Sequence, residues 1–191
     1  ATLLARHVLW WWRWIHALFL PLALLTLQLP VTSGWFLLGF GLLWVVYGRT
    51  DRTRVPLYLS NTSTVTALAP LLAPWGTQLR FLDIGSGIGS VILPLAHALP
   101  YGQFYGIEHA WLPYWCSRWR QWHAGHNVHF SHGDFWTLDC QHFNVVYAFL
   151  SPVPMAALWQ KLQQELPNGA CLISNSFVVP DVPPDLQVVV Q

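Results

Sequence analysis

The run Leu79–Ile84 is apolar, of strand length, and enters Gly85-Ser-Gly-Ile-Gly89 without a linker before a second apolar run opens at Val91. A strand that turns on glycines straight into a helix commits the chain to an α/β arrangement. Glycine permits the tight turn and lets backbone approach a ligand closely. The N–H groups at the start of the next helix are expected to point at whatever binds there. Alone, such a turn is ambiguous, because several nucleotide-binding folds use a similar device. The spacing is more telling: Asp83-x-Gly-x-Gly-x-Gly, not Gly-x-Gly-x-x-Gly.

Around this turn, pattern and length predict helix Asn61–Leu72, strand Leu79–Ile84, helix Gly89–Leu99, strand Gln103–Glu108 and helix Trp111–His123. Strand Val128–His132, strand Asn144–Phe149, helix Met155–Leu166 and strand Ala170–Ser176 follow, and Leu186–Val190 has the composition of one more short strand. Strands separated by helices of this length imply a mostly parallel sheet with helices on both faces.

The N-terminal region differs. From Trp14 to Gly48 there are 35 consecutive residues without Asp, Glu, Lys or Arg. One helix of that length would extend about 52 Å, against a hydrocarbon core of about 30 Å. Leu29-Pro-Val-Thr-Ser-Gly34 interrupts it with turn chemistry, so two helices are expected, Val8–Leu29 and Gly34–Tyr47. As a hairpin they would put Arg6, Arg13 and the Arg49–Arg54 group on one side, as the positive-inside rule prefers, with tryptophans at the interface. The second segment is short for a span, which leaves a re-entrant or in-plane hairpin open, as well as two helices packed on protein.

Charged residues make up 9% of the 191, too few to cover an ordinary soluble surface, where about 25% is typical. The expected division is 1–48, a hydrophobic membrane-associated segment, and 55–191, an α/β domain. A net charge of +1 offers no general attraction to nucleic acid. Cys116, Cys140 and Cys171 are odd in number and widely spaced, which argues against a disulfide framework or zinc site. His126-x-x-His129-x-x-His132 falls on a strand, where residues three apart face opposite sides, so no metal is expected.

Three strand ends carry the candidate binding chemistry. Asp83 and the Gly85–Gly89 turn follow the first strand. Glu108 ends the second, 19 residues beyond Gly89, where a carboxylate can accept from ribose hydroxyls; His109 is placed to touch adenosine. Gly133-Asp134-Phe135-Trp136 follows the third, where Asp134 can accept from an adenine amino group or simply cap the next turn. All three lie outside the carboxyl ends of the strands, where open α/β sheets bind ligands.

Asp83-Ile-Gly-Ser-Gly, Tyr105-Gly-Ile-Glu108, Gly133-Asp-Phe-Trp136 and Phe143-Asn-Val-Val-Tyr147 resemble the motifs of class I S-adenosylmethionine-dependent methyltransferases. More narrowly, the chain resembles small membrane-anchored protein lysine methyltransferases that act in mitochondria on the c-ring protein of ATP synthase and the adenine nucleotide translocase, and that have bacterial relatives. The resemblance runs from about Arg54 to Ser176 and includes Val55-Pro-Leu-Tyr58. It implies a Rossmann-like class I fold behind an N-terminal hydrophobic hairpin, with little chain left for the final strand pair of a complete sheet. It implies that Asp83, Gly85, Ser86 and Gly87 cradle the methionine part of the cofactor. Glu108 would hold the ribose and Asp134 with Phe135 the adenine, while Tyr58 and the Ser60–Thr62 segment, Asn61 among them, close over it. Ile88 and Ser90 depart from the Asp and Arg common at those positions.

Methyl transfer to lysine needs a neutral amine, whose reference pKa is about 10.4; an apolar pocket lowers it. Positioning supplies much of the rate, so no catalytic nucleophile is expected. The acceptor should arrive at Phe149-Leu150-Ser151-Pro152, which is not the Asn-Pro-Pro-aromatic loop of enzymes that methylate planar nitrogens. The expected protein methylates a lysine of a membrane protein, releasing S-adenosylhomocysteine. Its catalytic domain would lie on the cytoplasmic side of a bacterial inner membrane, or the matrix side in mitochondria. The competing readings are a methyltransferase of a lipid or small hydrophobic molecule and a catalytically silent membrane-bound scaffold.

Overall fold

The computed structural model describes residues 17–21, 24, 33–47, 62–122 and 125–190, and the chain divides into two units, Ala1–Val45 and Val46–Gln191. In the first, residues 17–21 are helical. Helix α1 spans Ser33–Tyr47, with Trp35, Phe36, Leu37 and Leu38 exposed. At 15 residues it extends about 22 Å, short of the about 30 Å of a hydrocarbon core. No helix among the described residues is long and apolar enough to cross a membrane. The second expected helix is therefore present, whereas most of Val8–Leu29 lies outside the described residues.

In the second unit, α2 (Thr62–Leu72) passes through Pro70 into a 3-10 segment, Ala73–Gln78. Strand β1 (Arg80–Ile84), α3 (Ile92–Ala98), β2 (Gln103–Glu108), α4 (Trp111–Gln121) and β3 (Val128–His132) follow in turn. Then come a 3-10 turn at Phe135–Thr137, β4 (Val145–Ala148), α5 (Met155–Glu165) and β5 (Cys171–Ser174). The five strands form one parallel sheet in the order β3-β2-β1-β4-β5. This is an α/β Rossmann-like fold. The strand order reverses direction beside β1, and the crevice that this opens at the carboxyl ends is the usual ligand site.

Both faces of the sheet are covered, so the central strands read as continuous apolar runs rather than alternating ones; all four residues of β4 are buried. On one face Phe81, Phe104, Val145 and Tyr147 pack with Val91, Ile92 and Leu95 around α3 and with Leu68 and Leu72 of α2. On the other, Leu82, Ile84, Val146 and Ala148 pack against Met155, Leu158 and Leu162 of α5.

Two expectations are corrected. The first helix after β1 begins at Ile92, not Gly89. Gly85, Gly87 and Gly89 all have positive φ, which is incompatible with a right-handed helix. Leu186–Val190 forms no strand: Leu186, Val188 and Val189 are exposed, and β-prone side chains favour a strand only where they can pack on a half-buried surface. Among the described residues the sheet has no strand beyond β5.

Candidate cofactor and acceptor site

The glycine turn is held by its own amides. Gly85 and Ser86 N–H both donate to the Ile107 carbonyl, at 3.0 and 3.1 Å, and Gly89 N–H donates to the Ser86 carbonyl at 2.9 Å. Gly87 N–H donates to Glu108 Oε2 at 2.8 Å. Of the helix expected from Gly89, the first N–H is thus taken up inside the turn, and those of Gly85, Ser86 and Gly87 just before it are engaged as well. What the turn offers is close approach. A Cβ on Gly89 would lie 2.6 Å from the Phe130 ring, and one on Gly106 would lie 2.7 Å from Ser86 Oγ. Glycine in β2 therefore makes the space into which Ser86 points.

Ser86 Oγ is buried and has no hydrogen-bond partner. A buried hydroxyl left unsatisfied is costly, so an orphan at the carboxyl end of β1 is a position suited to a polar ligand group. Asp83, one turn of the pleat earlier, is 4% exposed. Burial pushes its carboxyl from the ordinary 3.8 up to about 8, and repulsion from Glu108 adds to the rise. A cationic group entering the crevice would restore its charge.

Glu108 is shared between turn and site. Its Oε1 accepts from Ala110 N–H at 2.7 Å while Oε2 holds Gly87. Each carboxylate oxygen can accept a second hydrogen bond, so lone pairs remain for hydroxyls. This structural clamp was not legible in the sequence, because only the fold brings residues 87 and 108 together. His109 lies beside it; its carbonyl accepts from His132 Nε2 at 2.9 Å, and the His132 ring stacks on Trp111 at 3.6 Å.

Asp134 does cap the next turn: its Oδ1 accepts from Trp136 N–H at 3.0 Å, which leaves its other oxygen for a ligand donor. Phe135 is half-buried against the α5-side core. Tyr58 and Asn61 lie outside the described residues.

On the acceptor side the four candidates separate. Leu150 is buried, and its side chain would sit 3.3 Å from a Cβ at Gly85, so it supports the turn rather than facing an acceptor. Phe149 is half-buried near Phe177, and Pro152 is exposed. Ser151 is 7% exposed with an unpartnered Oγ. Sequence reasoning missed the neighbouring pair: Asn175 Nδ2 donates to Tyr147 Oη at 3.0 Å, and Tyr147 stands beside Asp83 in the sheet register. Ser176, after β5, holds a φ of 69°, a conformation that serine rarely adopts. Among the described residues no cluster of His, Cys, Asp or Glu could hold a metal; His129 instead stacks on Tyr105 at 5.1 Å.

An open parallel sheet with a glycine turn after β1 and an acidic end to β2 defines the class of Rossmann-like nucleotide-binding folds. The chain is similar to the RNA methyltransferase of Salinibacter ruber crystallised with S-adenosyl-L-homocysteine. The TM-score is 0.64 and the identity 24%, covering 69% of this chain and 86% of that one; at this identity the likeness is one of fold. The chain belongs to the family of the ANTKMT methyltransferase domain, whose model matches residues 83–186. It is 36% identical over 107 residues to the Xenopus laevis lysine N-methyltransferase of the ATP synthase C-subunit, covering 54% of this chain and 46% of that protein. It is 32% identical over 132 residues to the adenine nucleotide translocase lysine N-methyltransferase of Mus musculus, covering 68% and 56%. The chain thus spans about half the length of the curated relatives that it matches.

Proposed function

We propose that this chain binds S-adenosylmethionine at the carboxyl edge of β1 and β2 and transfers its methyl group to a lysine amine of a membrane protein. The observation that carries the reading is a closed glycine turn flanked by buried Asp83 and by Glu108, which holds Gly87 N–H, in a family whose named relatives are lysine N-methyltransferases.

The residues present fit the cofactor. Asp83 suits the ammonium of its amino acid part, Ser86 Oγ is an unfilled polar atom beside it, and Glu108 keeps lone pairs for ribose hydroxyls. When bound, the cofactor supplies an electrophilic methyl group on a sulfonium. The chain's contribution is position and a dry surround: Phe149 and Phe177 give apolar character to the mouth beyond β4 and β5. Such surroundings disfavour the ammonium form of an incoming lysine. Ser151 Oγ is placed on that side to orient the neutral amine. No nucleophile is required.

The same reading sets residues 1–48 at the bilayer as a hairpin that is re-entrant or in-plane, supported by the 35-residue uncharged run and by the exposed apolar side chains of α1. The catalytic unit would then face the cytoplasm of a bacterium, or the matrix of a mitochondrion.

Incubation with methyl-labelled cofactor and isolated membranes, followed by separation of protein from lipid, tests the acceptor. Label in a protein, recovered as methyllysine, is expected. Label confined to lipid would replace this reading with lipid methylation. Failure to bind S-adenosylhomocysteine by calorimetry would leave a silent scaffold.

A further inference from the structure

Helix α4 is amphipathic in the reverse sense. A surface helix ordinarily turns its apolar stripe to the core and its polar face to water. In α4 and at its C-cap, Trp111, Trp115, Trp119 and Trp122 recur at spacings of four, four and three, which is one helical face, and they are 51%, 62%, 67% and 85% exposed. The side toward the sheet packs Tyr114 on the core but is otherwise rich in polar groups. Ser117 is fully buried and donates to the Tyr114 carbonyl, Gln121 donates to the Val128 carbonyl, and Arg120 donates to the Ile88 carbonyl.

A tryptophan presents roughly 150–250 Å² when fully open, so four at these exposures offer about 400–660 Å², the size of the largest and often functional patch on a monomer. The two charged side chains of α4, Arg118 and Arg120, are both basic. Between Glu108 and Asp134 the chain has no acidic residue, but Arg118, Arg120 and five histidines. Beside the stripe lies an open cleft of about 760 Å³, lined among others by His97, Trp119, Arg120 and His126.

We propose that the outer face of α4 docks on an anionic phospholipid surface, with its tryptophans at headgroup depth and the basic cleft receiving lipid phosphate. Tryptophan concentrates at membrane interfaces because its ring is apolar and its N–H polar, and basic helices with aromatic faces lie in the interfacial plane. This deepens the membrane part of the proposed function, rests on that part alone, and is independent of the methyl acceptor.

Cys116, exposed on α4 next to Trp115, is a built-in reporter, and exposed Cys171 on β5 is its control. The full chain is reconstituted in vesicles of phosphatidylcholine alone or mixed with phosphatidylglycerol, then treated with a membrane-impermeant maleimide, and both cysteines are read by peptide mass spectrometry. In the mixed vesicles Cys116 is expected to react about tenfold more slowly, with Cys171 unchanged, and Arg118→Gln to restore about fivefold of the rate. Equal Cys116 rates in both vesicles overturn the proposal, even where the chain still pellets with lipid through residues 1–48. Protection that persists in detergent, or that grows with protein concentration, overturns it too, by assigning the face to the chain's own apolar segment or to a second copy.

Discussion

The Glu108 carboxylate accepts the Gly87 amide at 2.8 Å across 21 residues of sequence, so the group suited to ribose is also the clamp that closes the glycine turn. Binding and folding are coupled there. A charge-assisted hydrogen bond contributes about 1.5–3 kcal/mol. Glu108→Ala is therefore expected to lower both S-adenosylhomocysteine affinity, by tenfold or more, and stability toward urea. Loss of affinity with unchanged stability would show that the clamp to Gly87 and Ala110 is dispensable.

Asp83 predicts a pH dependence with a definite sign. Its carboxyl titrates near 8 in the folded chain, against the ordinary 3.8, because burial and then Glu108 oppose its charge. The native state thus holds a proton that the unfolded chain gives up. That contribution to stability is present below about 3.8 and is lost as pH rises toward about 8. Urea unfolding of the ligand-free protein across this range should show the decline, and Asp83→Asn should flatten it.

The same group links binding to protons. If a cationic cofactor group pairs with Asp83, binding below about pH 8 releases a proton. Calorimetry of S-adenosylhomocysteine in buffers of different ionisation enthalpy should then show release that vanishes in Asp83→Asn. Proton-neutral binding in the parent protein would remove Asp83 from the cofactor site.

Ser151 should behave unlike a structural serine. Its Oγ is buried without a partner, so Ser151→Ala removes an unsatisfied group and is expected to leave stability unchanged or raised by about 1 kcal/mol. Cofactor affinity should hold while methyl transfer to the acceptor falls. Unchanged transfer would make Ser151 a passive part of the loop.

Gly106 tests whether packing sets the site. An added Cβ would meet Ile92, Phe130 and Ser86 Oγ, each at 2.7 Å. Gly106→Ala is expected to cost about 1–3 kcal/mol as overpacking and to weaken cofactor binding by displacing Ser86. Its thermal midpoint and calorimetric affinity should fall together.

Much of this was legible in the chain alone. Leu79–Ile84 before the glycines, Glu108 at a strand end and Gly133-Asp134 after another each announce themselves, since apolar runs and turn residues encode strands and their ends locally. The helix starts at Trp111 and Met155 were legible too, but the one after the glycine turn was not. Gly89 reads as the beginning of a helix but belongs to the turn, because the hydrogen bonds to Ile107 and Glu108 that hold residues 85–87 come from another strand.

The sequence by itself determined the βα alternation, the acidic strand ends, the glycine turn and the uncharged N-terminal run, because each depends on neighbours a few residues away. Only the tertiary structure decided that the Gly85, Ser86 and Gly87 amides are held by the end of β2, that Leu150 is a support and Ser151 an orphan, and that the tryptophans of α4 and its C-cap face outward. Those are matters of which distant groups meet across the sheet, and burial and pairing exist only once they do.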